Sequence, residues 1–402
     1  MISSIDKSRT NRLIFLFTIT YMVSYLTRIN YGAIISEMEK ATAISRDLLS
    51  MSVTGSFITY GAGQIVSGVL GDKISPKRLM TIGLCLTVGM NTILPFLNNP
   101  FMMLTVWCVN GFAQSFMWPP LVRLMSSLLS DEEYKIAGVR VSWGSSIGTM
   151  LIYLLSPLII STLSWHWVFW SAAICGLIMI IVWCIFIPNV RPVQKESHSP
   201  TSKNATRVLF SPVMIAIMVA IIAMGMLRDG VTTWMPTYIS ETYQLDNVIS
   251  ILTGVALPLF AILSFQVASG LYRRRFTNPI TCAGVIFAIG VISSVGILIF
   301  SGSNAMISVA FFAILTGSMH GVNLMLIMML PNAFKKYGNI STVSGVLNAC
   351  TYIGSALSTY GVALISQRSG WSTTIIIWVI IASVGTAICF ICARSWSKQH
   401  AE

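Results

Sequence analysis

Long and nearly continuous apolar runs, separated by short polar segments, dominate this sequence. A membrane-spanning helix requires about 20 mostly apolar residues. Twelve runs of that kind follow one another, numbered here span 1 to span 12: 11–36, 48–70, 78–98, 101–128, 136–162, 165–188, 207–238, 248–270, 277–301, 305–331, 341–366 and 371–395. They do not alternate between apolar and polar positions as barrel strands do. The pattern therefore predicts an all-α membrane protein with twelve transmembrane helices.

The composition agrees with this prediction and excludes several classes of protein. Of the 402 residues, 55% are hydrophobic and only 9% are charged, whereas soluble domains carry roughly 25% charged residues. Cytosolic enzymes, disordered proteins and nucleic-acid binders are therefore excluded. The sequence contains no GxxxxGK[ST] motif and no hydrolase or kinase constellation. We expect a protein without enzymatic activity, cofactor or metal, which draws on a gradient or an exchange rather than on ATP.

The distribution of basic residues predicts the orientation in the membrane. If the N-terminus is inside, nineteen of the 25 Lys and Arg residues fall in inner segments and three in outer loops. The other three, Arg28, Arg140 and Arg228, lie within spans. This bias is the positive-inside rule, and it explains the net charge of +12 without nucleic acid. We expect both termini to be cytoplasmic, in a bacterial inner membrane or a plasma membrane.

The longest inner connection divides the sequence into two halves. Residues 189–206 are rich in Pro, Ser and charge, which is typical of a flexible linker. They separate a six-helix half, 1–188, from a second six-helix half, 207–402.

The two halves share features at corresponding positions. Arg28 and Arg228 lie 200 residues apart, in spans 1 and 7. Ser146-Ile147-Gly148 in span 5 corresponds to Tyr352-Ile353-Gly354 in span 11. Together these corresponding positions predict two parallel repeats with a binding site between them.

The arginines of spans 1 and 7 are the strongest candidates for binding chemistry. Each lies on the order of 25 Å from the inner end of its span at 1.5 Å per residue, too deep for its side chain to reach the inner surface. A guanidinium inside a bilayer must face water, an anion or a partner, and its planar fork suits a phosphate or a carboxylate. Tyr21, Tyr25 and Arg28 share one helical face and suit an oxyanion. Three other interpretations remain. The arginines lie near the outer end of their spans and extend to that surface, or Arg228 pairs with Asp229. The tyrosines pack at the membrane interface.

Two further residues are candidates for proton coupling. Asp229 is the only acid within a span, and His320 is the only histidine well inside one. Each can be a proton site. The alternatives are that Asp229 is simply a neighbour of Arg228 and that His320 packs in the protein interior.

Several motifs resemble one family of transporters. They are Asn110-Gly111-Phe112-Ala113-Gln114 with Trp118-Pro119-Pro120, Leu227-Arg228-Asp229-Gly230 with Trp234 and Pro236-Thr237-Tyr238, and the loop from Gly68 to Asp72 and Arg78. Over residues 11–390 the sequence is similar to the organophosphate:phosphate antiporter family of the major facilitator superfamily, which includes bacterial glycerol-3-phosphate and hexose-phosphate transporters. The resemblance implies a twelve-helix major facilitator fold.

The resemblance also implies roles for individual residues. The substrate-binding set would comprise Arg28, Arg228, Tyr21, Tyr25, Tyr60, Gln64, His320 and Tyr352. Asp72 and Arg78 would form a cytoplasmic gate in which the acid caps a neighbouring helix.

The sequence also departs from the family pattern. Gln64 stands where glycerol-phosphate carriers have a lysine. In the WNxxHN signature Trp143 is kept, but Gly144 and Gly148 replace the two asparagines and Ile147 replaces the histidine. The site is therefore less positive than a standard organophosphate site.

We therefore expect a monomeric secondary transporter of a small organic anion, with a phosphate ester as one candidate. Inorganic phosphate or a proton would be the coupling ion, and the two halves would rock around the arginine pair. Two alternatives remain: a proton-coupled symporter of organic acids, and a membrane sensor that binds the ligand and signals to a partner kinase.

Overall fold

A computed structural model describes residues 2–42, 44–190, 207–244, 247–337 and 339–400. Most of the predicted linker, residues 191–206, lies outside the described residues. The chain forms two compact units. The first comprises Met1–Ser199 and Phe334–Ala349, and the second comprises Pro200–Ala333 and Cys350–Glu402.

Eight α-helices build most of the first unit. They are α1 (Ile2–Ala33), α2 (Ile35–Thr42), α3 (Arg46–Lys73), α4 (Pro76–Ile93), α5 (Pro100–Gln114), α6 (Trp118–Leu128), α7 (Asp131–Thr162) and α8 (Trp165–Phe186), with a short 3₁₀ turn at Leu94–Phe96. Polar caps fix several starts: Ser130 and Glu133 form a capping box at α7, and the Asn99 side chain accepts two backbone N–H groups of α5.

The second unit is built from the remaining helices. They are α9 (Pro212–Tyr243), α10 (Asn247–Arg274), α11 (Pro279–Phe300), α12 (Ala305–Asn323), a π-helical segment (Leu324–Met329), a 3₁₀ segment (Leu330–Tyr337) and α13 (Ile340–His400). Two of these elements continue into the first unit, which includes residues 334–349. Within α13 the chain bends at Gly370, whose φ of 79° is easily adopted only by glycine.

Every predicted span coincides with helix, and the all-α prediction is confirmed. Among the described residues, eight helical stretches are long and apolar enough to cross a membrane. One of them, Ile340–Trp396, has 57 residues and covers spans 11 and 12 on either side of Gly370. Spans 2, 4 and 8 correspond to α3, to the α5–α6 pair and to α10. Span 4 is interrupted because Pro119 and Pro120 start a new helix after Gln114.

The internal repeat is visible in the packing of each unit considered by itself. A Cβ atom added to Gly148 of α7 would lie 2.7 Å from the carbonyl oxygen of Met22 in α1. In the second unit, a Cβ atom added to Gly354 of α13 would overlap the carbonyl oxygen of Ile222 in α9. Met22 and Ile222 are 200 residues apart, the same separation as that of the two intramembrane arginines. The glycines therefore allow α1 and α9 to lie directly against their neighbouring helices.

Candidate functional site

A buried polar network fixes the turn of α1 that precedes Arg28. The backbone oxygen of Thr27 accepts hydrogen bonds from the side-chain amides of Asn91 (3.0 Å) and Asn110 (3.1 Å). The Thr27 hydroxyl accepts one from Nε2 of Gln114 (2.9 Å). Thr27 and its three partners are all buried. The network gives a structural role to the Asn110 and Gln114 positions of the span 4 motif, because hydrogen bonds inside a low-dielectric interior hold their partners firmly.

Arg28 lies against aromatic rings of the first unit. Its guanidinium carbon is 4.2 Å from the centre of the Tyr25 ring and 4.6 Å from that of Tyr60. Tyr21 meets Tyr25 edge-on at 5.3 Å and packs against Trp118 at 5.1 Å. We call these five residues the Arg28 cluster. The structure thus brings together four of the residues that were predicted to bind substrate, and cation–π contacts stabilise the guanidinium there.

Gln64 lies one turn beyond Tyr60 on α3 and is fully buried. Its Oε1 accepts a hydrogen bond of 3.0 Å from the Asn348 side chain. Its Nε2 is buried and has no hydrogen-bond partner among the described residues. A buried donor of this kind suits an oxygen of a bound molecule, because leaving it unpaired costs about 1–3 kcal/mol.

The packing of α7 accounts for two departures from the family signature. A Cβ atom at Gly144 would lie 2.5 Å from the Thr18 carbonyl oxygen, and one at Gly148 would meet Met22 as described above. Asparagine therefore does not fit at either position unless α1 moves away from α7.

Arg228 of the second unit carries its own counter-ion. Its Nε donates to Oδ1 of Asp229 at 2.6 Å, and its Nη2 donates to Oδ2 at 2.8 Å. Its Nη1 donates to Oδ1 of Asn323 at 3.1 Å, and the Ser355 hydroxyl donates to Oδ2 of Asp229. We call these four residues the Arg228 cluster. Adjacent helical residues point about 100° apart, but the long arginine side chain folds back and closes a bidentate pair.

His320 and Tyr352 lie one turn away from members of this cluster. His320 precedes Asn323 on α12 and meets the Phe265 ring edge-on at 5.6 Å. It is close enough to Arg228 and Asp229 for their charges to act on it. Tyr352 precedes Ser355 on α13.

Sequence reasoning missed two members of the Arg228 cluster, Asn323 and Ser355. Their spacing of three residues from His320 and Tyr352 was the available signal, because that spacing places residues on one helical face. Asn323 is also the last α-helical residue before the π-helical segment Leu324–Met329. Such segments occur often at functional sites.

Asp72 caps the start of α13 within the first unit. Its carboxylate accepts the backbone N–H groups of Ser341 (3.2 Å) and Thr342 (2.9 Å) and the Thr342 hydroxyl (2.6 Å). The cation that faces Asp72 is Arg123, at 4.0 Å and 4% exposed, and not Arg78, which was predicted to accompany it. Arg78 lies in the first turn of α4 and is exposed, whereas Arg123 projects from the buried helix α6.

Known proteins resemble this chain over almost its whole length. A family model described as Major Facilitator Superfamily matches residues 17–359. The membrane sensor protein UhpC of Salmonella typhimurium is 24% identical, over 94% of this chain and 91% of that protein. The glycerol-3-phosphate transporter of Bacillus subtilis is 23% identical, over 94% of this chain and 90% of that protein.

A solved structure shows the same fold. The proton:xylose symporter XylE, bound to 6-bromo-6-deoxy-D-glucose, superposes with a TM-score of 0.76 at 11% identity, over 96% of this chain and 95% of that one. The predicted fold is thereby confirmed, and the Bacillus subtilis relative confirms the resemblance to the family that includes glycerol-3-phosphate transporters.

Proposed function

We propose, because the chain belongs to the major facilitator superfamily, that it is a secondary active transporter of a small organic anion. The observation that carries the proposal is an intramembrane arginine at the same place in each repeat, Arg28 and Arg228. Each is held by other side chains, Arg28 by tyrosine rings and Arg228 by acid and amide groups. The two halves would alternate access to a site to which both arginines contribute. Both termini would be cytoplasmic, in the inner membrane of a bacterium.

The charges of the proposed site define the class of substrate. While Asp229 is ionised, the two guanidinium groups and its carboxylate leave one net positive charge for an approaching anion. Oxyanions bind guanidinium through its N–H edges, and Gln64 adds a buried amide donor. A singly charged organic anion, either a carboxylate or the monoanion of a phosphate ester, matches this arrangement better than a dianion does. Tyr21, Tyr25, Tyr60, His320 and Tyr352 would complete the site.

A gate at the end of α3 is part of the same proposal. Asp72, which caps the first turn of α13, would act with Arg123 rather than with Arg78. Breaking and remaking these charge-assisted bonds would accompany the opening and closing of the inner side.

A second candidate function is sensing, which the similarity to a protein named as the membrane sensor UhpC favours. A sensor would bind the same anion through the same residues but would pass a signal to a partner protein. Saturable binding without flux distinguishes it from a transporter.

The test is flux into proteoliposomes that contain the purified protein. The labelled panel comprises glycerol 3-phosphate, glucose 6-phosphate, inorganic phosphate, glucose 6-sulfate and gluconate. We expect saturable uptake of at least one anion, and its loss in Arg28→Gln and Arg228→Gln. Arg140→Gln is the matched control because Arg140 is an exposed arginine on α7. Folded Arg28→Gln and Arg228→Gln proteins with unchanged flux would refute the proposal, and binding without flux would favour the sensor.

A further inference from the structure

We infer that Asp229 is an internal counter-anion that competes with the transported anion for Arg228, so that each anion binds together with one proton. This inference rests on the proposed function and deepens it by assigning the coupling ion. It starts from the geometry of the Arg228 cluster, in which a carboxylate of the protein already occupies the Nε–Nη2 edge of the guanidinium.

Each of the three nitrogen atoms of the Arg228 guanidinium donates a hydrogen bond to a side chain of the protein. Asp229 takes Nε and Nη2 in a bidentate pair, and Asn323 takes Nη1. A carboxylate or phosphate binds arginine best through two parallel N–H groups. A substrate anion therefore takes the Nε–Nη2 edge only where the Asp229 carboxylate gives up one or both of its contacts.

Among the described residues of the second unit, a displaced Asp229 carboxylate finds no second arginine or lysine nearby. The charged or titratable groups that act on it from the described residues are Arg228 on its own helix and His320 on α12. Helix α13 contributes the Ser355 hydroxyl, and the charged residues of α10, Arg273 and Arg274, lie in its last turn.

The displaced carboxylate would then stand beside the bound anion, and like charges a few Å apart in a poorly screened site repel each other strongly. The Asp229 side chain is 33% exposed, so a proton can reach its carboxylate when the site is open to water. Binding of one proton from solution to its carboxylate removes the repulsion, and no other covalent bond is made or broken. The neutral acid keeps a hydrogen-bond partner in Ser355.

Because linkage is reciprocal, an anion that drives proton uptake binds more tightly as the pH falls. The transported unit is then one anion with one proton. Coupling would consequently run through the proton gradient rather than through obligatory exchange with inorganic phosphate.

The test measures proton uptake on binding by calorimetry in buffers that differ in ionisation enthalpy. The probes are glucose 6-sulfate and gluconate, because neither titrates between pH 5.5 and 8, whereas a phosphate ester titrates near pH 6. We expect about one proton per anion for the unmodified protein, and an affinity that rises about tenfold per pH unit as the pH falls. Asp229→Asn should take up no proton and bind with an affinity independent of pH.

Glu241→Gln is the matched control, because it removes an exposed acid from the same helix, α9. It should keep the uptake of about one proton. His320→Gln removes the other titratable group near Arg228 and shows which of the two groups takes up the proton. If His320→Gln abolishes the uptake while Asp229→Asn does not, the inference is overturned.

The unmodified protein provides a test that does not depend on the folding of any variant. Binding of either probe without proton uptake overturns the inference and leaves the transport proposal standing. Failure to bind any anion of the whole panel overturns both.

Discussion

The contact between α1 and α7 is the structural feature whose perturbation is most easily quantified. In Gly148→Ala, the added methyl group would lie 2.7 Å from the Met22 oxygen and 3.0 Å from Cβ of Tyr25. The first of these is a backbone atom, which cannot rotate away. Overpacking costs about 1–3 kcal/mol, and the higher helix propensity of alanine offsets up to about 1 kcal/mol of that. We therefore expect the free energy of unfolding to fall by about 1–2 kcal/mol and Tm to fall by a few °C.

Two glycines serve as matched controls for this substitution. Gly89 of α4 and Gly361 of α13 lie in helices, and a Cβ atom added to either would meet nothing within 4 Å. Gly89→Ala and Gly361→Ala should therefore leave Tm unchanged or raise it. Gly354→Ala, which would overlap the Ile222 carbonyl oxygen, should behave like Gly148→Ala.

The assay is thermal unfolding of the purified, detergent-solubilised protein, followed by tryptophan fluorescence. Anion binding to Gly148→Ala should also weaken, because α7 contacts Tyr25 of the Arg28 cluster there. The reasoning is refuted if Gly148→Ala melts at or above the temperature of the unmodified protein, or if Gly89→Ala is destabilised to the same extent.

Three further predictions concern charge. Arg28→Gln should weaken anion binding by roughly tenfold to a hundredfold, since charge-assisted hydrogen bonds contribute about 1.5–3 kcal/mol. Arg28→Lys should not restore it, whereas Arg140→Lys should bind normally; equal losses in both lysine variants would contradict this. In a cysteine-free background, an impermeant maleimide applied to intact cells should label Lys40→Cys but not His198→Cys, and labelling of the latter would reverse the topology. Asp72→Asn should lower Tm and speed hydrogen exchange at the start of α13, because it weakens the capping bonds that hold that turn. Unchanged exchange would show that the cap contributes little.

The sequence by itself determined the features that depend on local periodicity. Twelve apolar runs specified the helices, because a bilayer requires backbone hydrogen bonds to close within each segment. The spacing of Tyr21, Tyr25 and Arg28 specified their common face, because helical geometry is fixed. The separation of 200 residues between Arg28 and Arg228 predicted the repeat. The packing agrees with it, because the residues that Gly148 and Gly354 meet, Met22 and Ile222, are also 200 residues apart.

Tertiary structure decided which partners each charge meets. Helical spacing separates Arg228 from Asp229 by about 100°, yet side-chain folding and the neighbours Asn323 and Ser355 join them in one cluster. Nothing local indicated that Arg123 rather than Arg78 would face Asp72. A buried charge is paired by whichever group another helix brings within a few Å. That choice depends on the packing of segments far apart in sequence, which periodicity along a single helix does not encode.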